Sequence, residues 1–275
     1  MTIGGATRVA CVIGDPVEHS RSPLMHNAAA AALGLDRVYV ALRVAPADLE
    51  SAIRGLAALG FDGANVTLPH KAGAAALCDE LGIEARDAGA VNTLSFAPGG
   101  GVRGDLTDGL GLIASLALVP ERAVVLGAGG STRAAAAALL RAGTRQLTIV
   151  ARRPEAAAEL AASLAALEPA ARVEAAAAVP DARGGLLVNC TPVGGIADLK
   201  ALPVPADVIE RMDAVADFAY RADGSPTPLA AAAHAAGLPV VDGLELLVRQ
   251  GALSFQRWTG IEPPLDVMRR AARGE

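Results

Sequence analysis

Hydroxyl, amide, amine and carboxylate side chains follow or precede short apolar runs in the front part of the chain. They are Ser20, Ser22, Asn65, Thr67, Lys71, Asn92 and Asp108. Such groups suit the hydroxyls and the carboxylate of a small molecule, and a Lys–Asp pair can relay a proton to or from an alcohol oxygen while hydride leaves the same carbon. The set therefore indicates a site for a polyhydroxylated acidic small molecule.

Each of these residues also has a purely structural interpretation. Ser20 and Ser22 stand before a proline, where a hydroxyl suits an N-cap as well as a carboxylate ligand beside helix N–H groups. Lys71 could be a solvated helix residue, and Asn92 and Asp108 are typical of turns and N-caps. The strand-end position of Lys71 favours a cleft, because ligands of open α/β sheets bind there.

A glycine-rich turn stands between an apolar strand and an Ala-rich helix in the middle of the chain. The segment Ala123–Arg133 reads AVVLGAGGSTR, with Gly127, Gly129 and Gly130 at the turn and Thr132 in place of the usual third glycine. Glycines let the backbone approach a pyrophosphate, which the first N–H groups of the helix then face. The flanking strand and helix supply the context that this motif needs. A structural turn in an α/β fold is the alternative.

Two arginines follow the next predicted strand, where an NAD site has an acid. Arg152 and Arg153 come after Ala151, 25 and 26 residues beyond Gly127, near the position about 20 residues on where an NAD site places its acid. Guanidinium groups match phosphate geometry with paired donors, so this position predicts NADP in preference to NAD. Two solvated arginines at the end of a strand are the alternative.

Composition and charge exclude several other classes of protein. The chain has 275 residues, is 52% hydrophobic and carries a net charge of −5, which excludes a disordered chain and does not suggest a nucleic-acid partner. No uncharged apolar run reaches the ~18 residues of a membrane span. Cys11, Cys78 and Cys190 have neither zinc nor redox spacing, and His19 and His26 lack further ligands, so no metal is expected. The start lacks the pattern of a signal peptide, and the scattered cysteines suit a reducing compartment, so we expect a cytoplasmic protein.

Short β-branched runs alternate with Ala- and Leu-rich stretches, which predicts βαβ units and mostly parallel sheets. We expect an α/β fold of two α/β domains, with a substrate-binding catalytic domain at residues 1–106 and an NADP-binding Rossmann domain at residues 107–242. Helices at residues 243–275 are expected to return to the first domain. The pattern also predicts a helix over His70–Leu81 and a turn between two strands at Ala97–Gly101.

Eight ordered motifs resemble the shikimate dehydrogenase family. They are GDPVEHSRSPLMHN (14–27), NVTLPHK (65–71), GAVNT (89–93), GDLTDG (104–109), GAGGSTR (127–133), NCTPVG (189–194), DFAY (217–220) and DGLELLVRQGALSFQRWTG (242–260). The match covers nearly the whole chain, and the motifs in order are far more specific than any one of them. The resemblance implies an NADP-dependent oxidoreductase acting on a CH–OH group, which reversibly reduces 3-dehydroshikimate to shikimate in aromatic amino-acid (chorismate) biosynthesis.

The resemblance also implies a role for each matching residue. Lys71 would be the catalytic acid and base, with Asp108 as its partner. The implied substrate-binding residues are Ser20, Ser22, Asn65, Thr67, Asn92, Tyr220 and Gln250. The implied cofactor-binding residues are Gly127, Ala128, Gly129, Gly130, Ser131, Arg152, Arg153, Phe218 and Gly243. The partner would be one small molecule, shikimate or 3-dehydroshikimate, and the chain would be a monomer or a homodimer.

Some positions depart from the family pattern, and two alternative functions remain. Leu106 replaces a usual Asn, Leu246 replaces a common Met, and Ala151 replaces the Asn that commonly precedes the NADP arginine. These departures do not alter Lys71 or Asp108. One alternative is a quinate/shikimate or aminoshikimate-type dehydrogenase of the same family. The other is a non-catalytic NADP-binding protein, whose signature would be the loss of Lys71 or Asp108.

Overall fold

The computed structural model describes residues 3–181, 183–195 and 198–275. The chain forms two compact units, of which the first comprises Met1–Thr107 with Leu247–Glu275 and the second comprises Asp108–Leu246. Each unit contains one six-stranded sheet with helices, so the predicted α/β class is confirmed. The unit boundaries fall one and four residues beyond the expected ends at 106 and 242. The second shift arises because Leu246 still packs in the core of the second unit.

The first unit has a mixed sheet. Its strands are β1 (Arg8–Gly14), β2 (Arg37–Arg43), β3 (Gly63–Val66), β4 (Glu80–Leu81), β5 (Thr93–Phe96) and β6 (Val102–Asp105), in the order β2-β1-β3-β5-β6-β4. Strands β1, β2 and β3 run parallel, whereas β5 runs antiparallel to both β3 and β6. The carboxyl ends of β1, β3 and β6 and the start of β5 therefore lie at one edge of the sheet, which we call the site edge.

Helices from both ends of the chain cover this sheet. They are α1 (Ser22–Ala32), α2 (Leu49–Ala58), α3 (Lys71–Ala75), α4 (Ile83–Ala88), α11 (Leu265–Arg273) and the larger part of α10 (Gly243–Thr259). Met25 of α1, Phe255 of α10 and Met268 of α11 share one hydrophobic core. Gly251 permits this close packing, since a Cβ there would collide with the Met25 side chain. The C-terminal helices thus pack on the N-terminal part of the chain.

The predicted helix over His70–Leu81 is wrong in its second half. The helix α3 ends at Ala75, and Glu80–Leu81 instead pairs in parallel with β6. The amide of Asp79 donates to Val102 O at 2.8 Å, and the Asp79 carboxylate accepts from Val102 N at 2.7 Å. Pairing with a strand more distant in the sequence therefore overrides the local helix propensity of this segment. The predicted turn at Ala97–Gly101 is confirmed, because it joins the antiparallel strands β5 and β6.

The second unit has an entirely parallel sheet. Its strands are β7 (Arg122–Leu126), β8 (Gln146–Val150), β9 (Arg172–Ala176), β10 (Leu186–Asn189), β11 (Ala214–Asp217) and β12 (Val240–Val241), in the order β12-β11-β10-β7-β8-β9. Its helices are α5 (Asp108–Ser115), α6 (Gly130–Ala142), α7 (Pro154–Leu167), α8 (Ala206–Ile209), α9 (Pro228–Ala235) and the start of α10. The strand order reverses between β7 and β10, and ligands of such sheets bind at the carboxyl ends beside this point.

None of the helices in the described ranges is long and apolar enough to cross a membrane. Within the same ranges, no group of three or more His, Cys, Asp or Glu side chains is arranged to hold a metal ion. The pattern of the sequence does not predict α4, β9 or α8.

His26 lies in the core of the first unit as a neutral aromatic group. Its ring stacks on Tyr39 with a centroid distance of 4.2 Å and an interplanar angle of 3°, and the rings of Phe255 and Trp258 lie nearby. Both of its ring nitrogens are buried without a hydrogen-bond partner among the described residues. Burial lowers the pKa of His26 to about 3.

This burial predicts that His26 destabilises the fold in acid. The unfolded chain takes up a proton on His26 near its ordinary pKa of about 6.5, whereas the folded chain holds the ring neutral until about pH 3. The neutral ring therefore makes its full contribution to the free energy of unfolding above pH 6.5. As the pH falls from 6.5 toward 3, this contribution decreases by up to about 1.4 kcal/mol per pH unit. His26→Phe keeps an aromatic ring against Tyr39 and should give a shallower decline in the free energy of unfolding.

Urea unfolding at several pH values between about 7 and 4 measures this difference in slope. His234→Gln is the matched control, because His234 is exposed on α9 and its removal should leave the slope as in the wild type. Equal slopes for the wild type and His26→Phe would contradict the prediction.

Candidate active site

The loop after β1 presents Ser20 and Ser22 at the site edge. Ser20 N donates to Val17 O at 3.0 Å, and Ser22 N donates to Ser20 Oγ at 3.3 Å. Helix α1 begins at Ser22, and its N-cap is Arg21, which makes no side-chain cap hydrogen bond. The N-cap interpretation of Ser22 is therefore wrong, because Ser22 already stands inside the helix.

The loop after β3 lies directly against the loop after β1. Thr67 N donates to Ile13 O at 3.0 Å, and a Cβ on Gly14 would collide with the Thr67 methyl group. Lys71 follows as the first residue of α3, with its side chain partly buried, and Lys71 O accepts from Val91 N at 2.9 Å. The structure thus brings Thr67 and Lys71 to the same edge as the serine loop.

Seven buried polar side chains form one hydrogen-bonded cluster beside these loops. We call it the carboxamide cluster, and its members, none more than 9% exposed, are Tyr39, Asn65, Asn92, Thr93, Thr107, Gln250 and Ser254. Asn92 Nδ2 donates to Thr107 Oγ1 at 3.0 Å and to Gln250 Oε1 at 3.2 Å. Asn65 Nδ2 donates to the Asn92 carbonyl oxygen at 3.0 Å. The structure therefore brings together the predicted residues Asn65, Asn92 and Gln250, which are far apart in the sequence.

Four members of the cluster are not among the predicted site residues. Thr93 adjoins Asn92 in the chain, and Ser254 stands four residues after Gln250, on the same face of α10. Those two spacings are the sequence signals that could have found them. Thr107 adjoins Asp108 in the same way, whereas nothing in the local sequence singles out Tyr39.

The glycine turn of the second unit has the backbone that the sequence predicts. Gly127 adopts a φ of +114°, and a Cβ there would lie 2.8 Å from Thr132 Oγ1. Thr132 is fully buried beneath the turn, which explains why it replaces a glycine without blocking the outer surface. Gly129 is the N-cap of α6 and has open space where a Cβ would be. The Gly129 cap has no side chain, so the first N–H groups of α6 suit an anion.

The end of β8 lies next to this turn. Gly127 N donates to Val150 O at 2.8 Å, and Arg152 and Arg153 follow as exposed residues. Within residues 3–181, 183–195 and 198–275, neither arginine has a carboxylate partner. Two guanidinium groups beside a glycine turn suit a phosphate on a ribose.

A buried carboxylate organises the loop that holds Phe218 and Tyr220. Asp217 accepts hydrogen bonds from Asn189 Nδ2 at 2.8 Å, Ala219 N at 3.0 Å and Thr227 Oγ1 at 2.5 Å. Burial raises the pKa of Asp217 to about 6, although these hydrogen bonds lower it in part. The carboxylate thus ties together the segments that follow β10 and β11.

The first turn of α10 packs on the same loop. A Cβ on Gly243 would collide with Ala219 O, and Phe218 N donates to Asn189 O at 2.8 Å. Phe218 and Gly243 therefore lie near the carboxyl end of β11, and Tyr220 follows with its side chain partly buried. Asp108 is buried and begins both α5 and the second unit.

Hydroxyl and carboxamide groups thus gather at one sheet edge of the first unit. The second unit has a parallel sheet with reversed strand order, a glycine turn and two exposed arginines, as in dinucleotide-binding Rossmann domains. These features define a two-domain α/β protein of the dinucleotide-binding class.

Comparisons with known proteins identify the family within this class. The profile "Shikimate dehydrogenase substrate binding domain" matches residues 12–94, and the profile "Shikimate 5'-dehydrogenase C-terminal domain" matches residues 243–273. The chain is 44% identical to the shikimate dehydrogenase (NADP(+)) of Rubrobacter xylanophilus, over 99% of this chain and 98% of that protein. The chain belongs to the shikimate dehydrogenase family.

Two solved structures have the same fold. A shikimate dehydrogenase in complex with NADP+ matches with a TM-score of 0.89 and 35% identity, over 98% of this chain and 96% of that one. The shikimate 5-dehydrogenase of Thermus thermophilus, in complex with NADP(H) and shikimate, matches with a TM-score of 0.84 and 38% identity, over 97% and 99% of the two chains. The expected two-domain fold is therefore confirmed.

Proposed function

We propose that this chain is an NADP-dependent shikimate dehydrogenase, which interconverts 3-dehydroshikimate and shikimate. The observation that carries the proposal is the carboxamide cluster, in which Asn65, Asn92 and Gln250 are buried and oriented at the site edge. Oriented carboxamides in a buried site recognise hydroxyl groups, and they disfavour molecules that lack those groups. The activity named for the relatives supports the same substrate.

The second unit fits NADP. Its glycine turn leaves room for a pyrophosphate, since a Cβ on Gly129 meets nothing within 4 Å. The residues that would hold the cofactor are Gly127, Ala128, Gly129, Gly130 and Ser131 at the pyrophosphate, Arg152 and Arg153 at the 2′-phosphate, and Phe218 and Gly243 beside the nicotinamide. When bound, the nicotinamide supplies or accepts the hydride.

Residues of the first unit, together with Asp108 and Tyr220, are proposed to supply substrate binding and proton transfer. In oxidation, the amine of Lys71 takes the proton from the substrate hydroxyl, and in reduction the Lys71 ammonium returns it to the carbonyl oxygen. Asp108 is the carboxylate that the family resemblance assigns as the partner of Lys71, and its proposed role is to orient the amine. The substrate carboxylate binds to Ser20, Ser22 and Tyr220, and the ring hydroxyls bind to Asn65, Thr67, Asn92 and Gln250.

A panel of two substrates and two cofactors tests this function. The value of kcat/KM for shikimate with NADP+ should exceed the values for quinate or for NAD+ by about tenfold or more, the size that one polar contact commonly supplies. A preference for quinate with NAD+ would refute the proposal, and NADPH binding without turnover would support a non-catalytic protein. The cytoplasmic location and the monomeric or homodimeric state expected from the sequence stay predictions.

Replacement of Lys71 tests the assigned proton transfer. Lys71→Ala should lower kcat for shikimate by about 10²–10⁴, the usual effect of a positioned acid or base, with little change in NADPH binding. Steady-state kinetics and a fluorescence titration with NADPH measure the two quantities. Lys200→Ala is the matched control, because Lys200 is the only other lysine in the chain and is exposed. A near-normal kcat for Lys71→Ala would remove Lys71 from the mechanism.

Replacement of Arg152 tests the cofactor preference. Arg152→Ala should raise KM for NADP+ much more than KM for NAD+, because only NADP+ carries the 2′-phosphate. Arg145→Ala is the control, since Arg145 is exposed and precedes β8 at the opposite end of the same strand. An equal effect of Arg152→Ala on both cofactors would mean that Arg152 does not meet the 2′-phosphate.

A further inference from the structure

We propose that Tyr39 and Ser254 are positioning residues for substrate recognition. They hold the carboxamide of Asn65 in one orientation, beside the carboxamides of Asn92 and Gln250. This inference rests on the proposed function, which assigns the three carboxamides to the ring hydroxyls of the substrate.

The orientation of Asn65 follows from what its neighbours can donate. Asn65 Nδ2 lies 3.0 Å from the carbonyl oxygen of Asn92, which can only accept. The nitrogen must therefore face Asn92, and Asn65 Oδ1 faces the hydroxyl of Tyr39 at 2.8 Å. Tyr39 Oη is thus the donor to Asn65 Oδ1, and its ring is fixed by the stack on His26.

Ser254 connects Asn65 to the helix turn that carries Gln250. Ser254 Oγ accepts from Asn65 Nδ2 at 2.9 Å. The hydroxyl oxygens of Ser254 and Thr93 lie 2.8 Å apart, Ser254 Oγ lies 3.2 Å from the carbonyl oxygen of Gln250, and Thr93 Oγ1 lies 3.0 Å from Asn92 Oδ1. The two hydroxyl protons serve two of these three contacts at a time. One hydroxyl on α10 therefore contacts Asn65 directly and lies beside Thr93, the neighbour of Asn92.

The orientations of the other two carboxamides are determined in the same way. Thr107 N can only donate, and it donates to Asn92 Oδ1 at 2.8 Å. Leu247 O can only accept, and it accepts from Gln250 Nε2 at 2.9 Å. Asn92 Nδ2 and Gln250 Oε1 consequently face each other at 3.2 Å with matching polarity. The three carboxamides therefore have one consistent set of orientations, in which Tyr39 is the donor to Asn65 Oδ1.

Burial makes this arrangement sensitive to the loss of one hydroxyl. Tyr39 and Ser254 are buried, and no water replaces a lost partner easily inside a packed core. Without the Tyr39 hydroxyl, Asn65 Oδ1 loses its donor, and the amide can rotate away from the orientation that binds substrate. Misplaced ligands weaken substrate binding while the glycine turn of the other unit keeps its structure.

The variants Tyr39→Phe and Ser254→Ala test the inference through steady-state kinetics. Each should raise KM for shikimate about five- to tenfold, the effect of one lost buried hydrogen bond, while KM for NADP+ changes less than about twofold. A purely structural defect would reduce the amount of folded enzyme, which lowers the apparent kcat and leaves both KM values unchanged. Because both hydroxyls act on Asn65, the effects in the double variant should be less than multiplicative.

The control is Thr259→Ala. Thr259 Oγ1 donates to Phe255 O one turn earlier in α10, at the position that Ser254 Oγ takes relative to Gln250 O, but it lies outside the carboxamide cluster. Its KM for shikimate should equal that of the wild type. An unchanged KM for shikimate in Tyr39→Phe, or an equal rise of both KM values, would overturn the inference even if Ser254→Ala fails to fold. A wild-type protein without shikimate turnover would instead overturn the proposed function.

Discussion

The need to pair buried hydroxyls and carboxamides governs the site edge of the first unit. Three carboxamides and four hydroxyls lie in its interior, where an unpaired donor or acceptor costs about 1–3 kcal/mol. The antiparallel strand β5 meets this need by its register, because Asn65 of β3 stands opposite Thr93 of β5, which in turn stands opposite Asp105 of β6. The polar side chains therefore converge at the site edge as a consequence of strand pairing.

The same cluster depends on the close approach of α10 to the sheet. Trp258 Nε1 donates to Leu94 O at 3.0 Å, and a Cβ on Gly63 would collide with the Trp258 ring. Gly251 allows the neighbouring face of α10 to meet Met25 of α1. Two glycines with no polar function thus determine how near Gln250 and Ser254 come to β3 and β5.

Local pattern predicts much of the second unit and less of the first. The glycine turn and the arginines after β8 depend on one strand–turn–helix segment and the strand that follows it, so their spacing in the sequence already predicts their arrangement. The carboxamide cluster instead joins Asn65 to Ser254, 189 residues away in the chain. No periodicity along the chain identifies the cluster as a whole, although the spacings to Asn92 and Gln250 point to Thr93 and Ser254 once those two residues are known. Tyr39 shows this limit of prediction from sequence. The alternating pattern of β2 would be the same with an aromatic residue that has no hydroxyl, so the pattern does not reveal the donor to Asn65.

Three departures from the family pattern lie in or against the cores of the two units, outside the carboxamide cluster. Leu106 is buried beside Thr107 in the chain, and Leu246 packs in the core of the second unit. An Asn at position 106 would need buried partners of its own, whereas Leu needs none. Ala151 packs against the core of the second unit, which leaves contact with a phosphate to the two arginines that follow it. These substitutions therefore change how the supporting structure packs while the groups proposed to meet substrate and cofactor keep their chemistry.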